Sequence, residues 1–233
     1  MRRTIIDIET VTPEWKGEGF PPVPFHEVVS IGLLDTDTVG KMTKLAATTD
    51  VVAFLKWMTS TDVAFCTFNG RGFDLPVLEH HAMRNGIRMP HWFLIGAKSW
   101  EDPRNRYNTR HHLDLREFWT NSGAVRGGYS LDVLAKSINL PGKLEVDGSS
   151  VAKLLKEEGE DVVSAYCLCD CLDTYFLYLR TLTVCGQCSV ELEQEARASC
   201  VGMVKDATAR WGWPLRDWLK EFCRLGNAYE TEG

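Results

Sequence analysis

Apolar and polar positions divide the chain into two halves. In the first, short β-branched runs alternate with turn-forming residues; in the second, apolar residues recur at helical spacing. Thr4-Ile5-Ile6-Asp7-Ile8-Glu9 has the isoleucine density of a buried strand. A Pro- and Gly-rich loop follows over residues 12–24. Residues 27–34 predict a second strand, 41–46 a weaker third and 63–68 a fourth. Asp50 is placed to cap a helix running to about Met58, with Val51, Val52, Leu55 and Met58 on one side. Asn69-Gly70-Arg71-Gly72 predicts a turn, and a helix starts near Asp74, where Pro76 is tolerated because the first turn needs no backbone donor.

Residues 88–128 show little periodicity beyond a strand expected over 112–115. Ser130 predicts the cap of a helix carrying Leu131, Leu134, Ala135 and Ile138, which Leu140-Pro141-Gly142-Lys143 ends. Helices are expected over 149–157 and 161–182, and across the last fifty residues with a break at Trp211-Gly212-Trp213-Pro214. Strands early and helices late predict an α/β fold, a mixed sheet covered by helices.

Composition narrows the class. The 233 residues are 44% hydrophobic and 25% charged, which excludes disordered, collagenous and coiled-coil chains. No uninterrupted run of 18 apolar residues occurs, so no membrane partner is expected. Acid at position 7 excludes a secretory leader, and a cytoplasmic location is expected. Eight cysteines in such a chain predict reduced thiols. Cys185 and Cys188 form a lone C-x-x-C, for which a metal or redox role stays open. Cys167, Cys169 and Cys171 alternate on a helix and are expected to point in different directions.

Three segments carry candidate chemistry. Asp7 and Glu9 stand two apart on a strand and share a face, where their repulsion suits a dication with oxygen ligands; a solvated strand end is the plain alternative. Asp74 lands at a helix start after a glycine turn, either as an ordinary cap or, with Asn69 and Phe73, as part of a nucleotide site. Tyr166 and Asp170 are spaced i, i+4 on one helical face, separate from the apolar stripe of Leu168, Leu172, Phe176 and Leu179. Alone, that pair reads equally as surface residues.

In this order the segments resemble the three motifs of DEDD exonucleases in the tyrosine (DEDDy) branch. The stretches Phe68-Asn69-Gly70-Arg71-Gly72-Phe73-Asp74-Leu75-Pro76, Leu140-Pro141-Gly142-Lys143 and Tyr166 through Tyr175 look closest to predicted 3′–5′ exonucleases related to the proofreading domain of family B DNA polymerases. The resemblance covers residues 1–180. It implies an RNase H-like (DnaQ-like) fold with a mixed five-stranded sheet, an exonuclease domain over 1–183 and a helical extension over 184–233. It implies two divalent cations, Mg²⁺ or Mn²⁺: Asp7 contacts both, Glu9 and Asp170 complete one site, and Asp74 serves the other. Tyr166, too weak a base near neutral pH, orients the attacking water. Thr10 and Asn69 are expected to touch the terminal nucleotide, Phe73 to stack beside a base, Ser130 to start a helix near the site, and Lys143 to reach a phosphate.

The implied activity is 3′–5′ exonuclease action on DNA, single-stranded or frayed, with proofreading in trans because no polymerase domain follows residue 233. The alternatives are a 3′–5′ exoribonuclease and a catalytically silent nucleic-acid-binding module. Trp211, Trp213, Trp218, Leu215 and Leu219 predict packing of the last helix on the body, or a surface for a replication or repair protein. A net charge of −6 argues against a nucleic-acid partner at first sight. Residues 84–143, however, hold ten basic and five acidic side chains, with Trp92, Trp100 and Tyr107 among them. That mixture predicts a track for a single strand, a solvated charged loop being the alternative.

Overall fold

The structure is a computed structural model, which describes residues 2–60, 64–143 and 151–230, the side chains of 59–60 and 227–230 excepted. Five strands form one mixed sheet: β1 (Arg3–Val11), β2 (Glu27–Thr36), β3 (Met42–Thr48), β4 (Ala64–Thr67) and β5 (His112–Asp114), in the order β3-β2-β1-β4-β5. β1 pairs antiparallel with β2 and parallel with β4; β5 continues the parallel half. The expected mixed five-stranded sheet is thus observed, with β2 and β3 each running two residues past their predicted ends. The predicted starts of two elements, residue 63 and residues 149–150, lie outside the described residues.

Side-chain alternation along β1 sorts its residues to opposite faces. Ile6 and Ile8 join α1 (Val51–Ser60) and α2 (Asp74–Arg84) in a core with Phe54, Leu55, Phe65, Leu75 and Leu78. Ile5 points the other way, into a second core built on α6 (Glu160–Val184), which lies across β1, β2 and β3. Between them in sequence come the short α3 (Leu115–Trp119), α4 (Leu131–Ser137) and α5 (Val151–Glu158). Asp50 and Ser130 act as the expected caps, accepting from the amides of Ala53 (2.8 Å) and Val133 (3.2 Å).

α6 is the spine of the molecule. By length and composition alone it would suit a membrane crossing, yet 89% of its most apolar stretch is buried inside the protein. Asp170, Asp173 and Arg180 interrupt the helix, so it holds no long unbroken apolar run. Its outer side is covered by α7 (Val190–Trp211) and α8 (Trp213–Glu230), whose Cys200, Val204, Leu215, Trp218 and Phe222 share one core with Phe176 and Leu179. Trp218 and Phe222 stack at 4.7 Å between ring centres, and Trp218 is fully buried. Of the two uses foreseen for the tryptophans of this region, packing is what Trp211 and Trp218 do.

Candidate active site

The alternation that sends Ile5 toward α6 sends Asp7 and Glu9 the same way, so an apolar strand ends in two acids facing that helix. Glu9 is buried and Asp7 partly so. β4 pairs with β1 only as far as Ile5 and Cys66, leaving the end of β1 without a strand on that side. Asp74 takes the opening: its Oδ1 accepts from the Ile8 amide at 3.1 Å. Asp74 is therefore not the cap of α2. Phe73 occupies the cap position, without a side-chain capping bond, and Asp74 is the first residue of the helix.

α6 approaches the sheet closely because β2 carries Gly32 opposite Asp7. A Cβ on Gly32 would stand 2.7 Å from the Cys171 sulfur and 3.0 Å from that of Cys167. These two cysteines, i and i+4, face the same glycine, which corrects the expectation that the helical cysteines diverge. The Cys167 thiol donates to the Asp7 carbonyl (3.3 Å) and to Asp7 Oδ2 (3.4 Å). One residue before each of these cysteines, α6 brings up Tyr166 and Asp170, both buried. The Tyr166 hydroxyl is buried with no hydrogen-bond partner.

The turn over residues 69–74 is organised from β5. Asp114 Oδ1 accepts from the amides of Asn69 (3.0 Å), Arg116 (3.0 Å) and Glu117 (3.2 Å), and Oδ2 from Arg71 (2.9 Å). Asn69 adopts φ 64°, a left-handed conformation that asparagine tolerates. Its side-chain oxygen is taken by Arg116 Nη1 at 2.7 Å. Asp114 is thus a positioning residue that sequence reasoning missed, acting across 45 residues of chain.

A second turn meets α6 at Tyr166. The Lys143 amide donates to Asp132 Oδ1 (2.8 Å), and Gly142 takes φ +64° where a side chain would strike that same oxygen at 2.6 Å. The Lys143 ammonium rests 5.6 Å from the centre of the Tyr166 ring. Asp173, one turn beyond Asp170, accepts from the Trp218 indole at 3.0 Å, so α8 ties to the helix that carries the site.

Electrostatics bind these pieces together. Burial, then the charge of Asp170, push the carboxyls of both Asp7 and Glu9 well above the ordinary range. Asp74 is pushed up to about 7, chiefly by burial, with its backbone hydrogen bonds opposing and Asp114 and Asp170 adding to the rise. Asp170 is pushed up to about 6 by burial, while Lys143 pulls it down. The Tyr166 phenol is driven above its usual value by burial and then by Asp170, Glu9 and Asp7, so it stays protonated and keeps a proton to donate beside these acids. Four carboxylates held close, with Lys143 as the cation acting on two of them, are a donor set for hard divalent cations. Oxygens of Asp7 and Glu9 and the Cys167 sulfur lie within 4.8 Å of one another. Burial pushes the Cys167 thiol well up, and it donates to Asp7, so the acids rather than the sulfur fit such an ion.

The structure therefore brings together Asp7, Glu9, Asp74, Tyr166, Asp170 and Lys143. Thr10 and Phe73 lie beside them in sequence: the Thr10 hydroxyl meets His26 Nδ1 at 2.9 Å, and the Phe73 ring packs edge-on to His26. Ser130 spends its hydroxyl on capping α4. The single-strand track is corrected in two respects. Trp92 is buried in the core and donates to Glu79 (2.7 Å), so it cannot stack on a base. Arg84, Arg104 and Arg106 are paired with Glu27, Glu79 and Glu117, two of which lie outside the basic stretch. His111 and His112 are structural, bonded to Asn108 (3.1 Å) and Thr67 (2.8 Å). A cavity of about 570 Å³ between α6, α7 and α8 is lined by none of the acids.

An RNase H-like sheet with acids gathered at the end of its central strand defines the class, an α/β fold of the exonuclease type. Over residues 18–222 the chain matches the family described as predicted 3′–5′ exonuclease related to the exonuclease domain of PolB, and it belongs to that family. The match extends the resemblance past residue 180 into α8, in line with the shared core of α6, α7 and α8. It begins after β1, so Asp7 and Glu9 join the site on geometry. Among solved structures, the family B DNA polymerase from the hyperthermophilic archaeon Pyrobaculum calidifontis is similar, with a TM-score of 0.57 and 17% identity. The alignment covers 91% of this chain and 29% of the polymerase, so the likeness is one of fold. No curated protein matches the chain.

Proposed function

We propose that the protein is a metal-dependent 3′–5′ exonuclease that hydrolyses phosphodiester bonds at single-stranded or frayed 3′ ends of DNA. The observation that carries this is the meeting of Asp7, Glu9, Asp74 and Asp170 around a buried Tyr166 hydroxyl that lacks a partner. Asp7, Glu9, Asp170 and Asp74 would hold two divalent cations, Mg²⁺ or Mn²⁺. When bound, such ions make water a competent nucleophile near neutral pH and neutralise charge on the phosphate.

The chain's own groups do the rest. Tyr166 keeps its proton and donates it in a hydrogen bond that orients the attacking water. Lys143, beside the Tyr166 ring, offers a positive charge to the phosphate. Asn69 has its carbonyl occupied by Arg116, leaving its amide N–H groups for a sugar or phosphate oxygen. His26 Nε2 faces the Pro21 carbonyl at 3.1 Å, which puts the ring proton there and makes Nδ1 the acceptor of the Thr10 hydroxyl. Thr10 therefore meets the nucleotide as an acceptor.

The test uses 5′-labelled DNA and RNA oligonucleotides of matched sequence. A ladder shortening from the 3′ end, stopped by EDTA and restored by Mn²⁺ or Mg²⁺, is expected on DNA. Asp7→Ala and Asp170→Ala should each abolish it, and Tyr166→Phe should leave weak activity. Near-normal turnover by Asp7→Ala would sink the mechanism; faster cleavage of RNA would move the substrate to RNA.

A further inference from the structure

The chemistry above leaves one buried group at the acids without a part. Asp7 is the acid assigned to both ions, so the rotation of its carboxylate matters most. The strand fixes its backbone, but a carboxylate turns readily about its last bond. Asp74 has the Ile8 amide at 3.1 Å to set its plane. Among the described residues the one hydrogen-bond donor to the Asp7 carboxylate is the Cys167 thiol, 3.4 Å from Oδ2.

That thiol is itself held in place. Cys167 is fully buried, and its sulfur accepts from the Gly32 amide at 3.2 Å. Its S–H also meets the Asp7 carbonyl at 3.3 Å, so the sulfur sits against β1 and β2 together. The place is open only because Gly32 has no side chain: a Cβ there would stand 3.0 Å from the sulfur. On α6, Cys167 and Asp170 are i, i+3 and share a face. One helical face thus delivers an acid of the cluster and the group that holds another.

We propose that Cys167 is a positioning residue for Asp7: its thiol pins Oδ2 and fixes the rotation of the carboxylate, without itself ligating an ion. The inference rests on the reading of the acids as metal ligands and extends it to what presets their geometry. A thiol suits the part because S–H is a weak donor. It orients Asp7 while leaving the carboxylate the charge that a divalent cation needs; a cationic donor in the same place would compete with the ion. Groups that orient ligands in this way set metal affinity by about tenfold or more. Cys171 supplies an internal comparison. It touches the same glycine, yet among the described residues it bonds none of the acids.

The test measures Mn²⁺ binding without nucleic acid, by calorimetry, for wild type, Cys167→Ala, Cys167→Ser and Cys171→Ala, with melting in EDTA to show that each is folded. Cys167→Ala should weaken Mn²⁺ binding about tenfold or more. Cys167→Ser, which keeps a donor, and Cys171→Ala, which removes a sulfur beside the same glycine, should both stay within about threefold of wild type. Equal affinities for Cys167→Ala and Cys171→Ala, or no rescue by serine, overturn the proposal. Infrared spectroscopy gives a readout free of metal. The Cys167 S–H stretch, identified by its loss in Cys167→Ser, should lie below that of a thiol without a hydrogen bond and move to higher frequency in Asp7→Asn. A band that does not move overturns the proposal, whether or not Cys167→Ala folds. If wild type takes up no Mn²⁺, the reading of the acids as metal ligands fails; a band that moves in Asp7→Asn still supports the thiol as the group that holds Asp7.

Discussion

Replacing Asp114 separates the support of the site from its chemistry. This carboxylate never faces the other acids through a hydrogen bond, yet it receives four backbone amides from the turn leading to Asp74 and from the start of α3. Asp114→Asn keeps an oxygen for the three amides on Oδ1 and turns an N–H₂ toward the Arg71 amide. One buried hydrogen bond is lost and one donor is left unsatisfied, about 1–3 kcal/mol. Asp114→Ala also removes the cap of α3 and the Asn69 bond, for a total on the order of 3–5 kcal/mol. Urea denaturation measures both. The functional effect follows from geometry: Asn69 holds its left-handed turn against Asp114, and Asp74 is only five residues on. A displacement of about 1 Å in a positioned group can cost up to a hundredfold in rate, so Asp114→Asn should lower kcat at least tenfold while folded. KM should rise as well, because the same turn carries Asn69, which is proposed to meet the substrate. If Asp114→Asn loses stability but keeps kcat within about twofold, the turn does not position Asp74 and the reasoning is wrong.

Three further outcomes can be checked. Asp74 and Asp170 have raised pKa values in the fold, so the stability they contribute is complete below the unfolded carboxyl value and is lost as pH rises through about 6 and about 7. Mn²⁺ or Mg²⁺ should therefore raise the melting temperature much more at about pH 8 than at about pH 5, and an equal rise at both would count against these ligands. Gly32→Ala drives a methyl into the sulfurs of Cys171 and Cys167 and should cost about 1–3 kcal/mol and most of the activity; adding Cys171→Ala should return part of both, which a thermal-melt cycle would show. Removal of residues after 211 strips Leu215, Trp218 and Phe222 from the core around Phe176, and near-native melting of the shortened chain would refute the shared core.

How much was legible in the sequence depends on the distance over which each feature is specified. The period of two in β1 placed Asp7 and Glu9 on one face, and the i, i+4 spacing put Tyr166 beside Asp170; both are local and both hold. The sheet and the caps at Asp50 and Ser130 follow from equally local signals. Asp114 is invisible as an organiser of the 69–71 turn because its partners there lie about 45 residues away and are backbone amides, which leave no trace in side-chain pattern. Trp92 read as part of a nucleic-acid track because charge counting along the chain cannot see that Arg84 reaches back to Glu27 and Arg104 to Glu79. Cys167, Cys169 and Cys171 alternate in steps of two, which on a helix diverge, whereas the common neighbour of Cys167 and Cys171 is set by a step of four and by Gly32 on another strand.

The acids are placed almost entirely by backbone. Asp74 is held by the Ile8 amide, Asp7 and Glu9 by the pairing of β1 with β2, and Asp170 by a helix packed along most of its length. Lys143 lowers the cost of Glu9 and Asp170, yet burial still raises all four carboxyls, and repulsion within the cluster adds to the rise of Asp7, Glu9 and Asp74. A cluster that destabilises itself persists only when the surrounding structure over-determines it. Here that surrounding structure includes α7 and α8, because Trp218 both fills the core beneath α6 and donates to Asp173, one turn from Asp170. The C-terminal helices are therefore part of what lets α6 hold a buried acid against two others on β1. This gives a physical reason for the family match to run on to residue 222 instead of ending with the last motif.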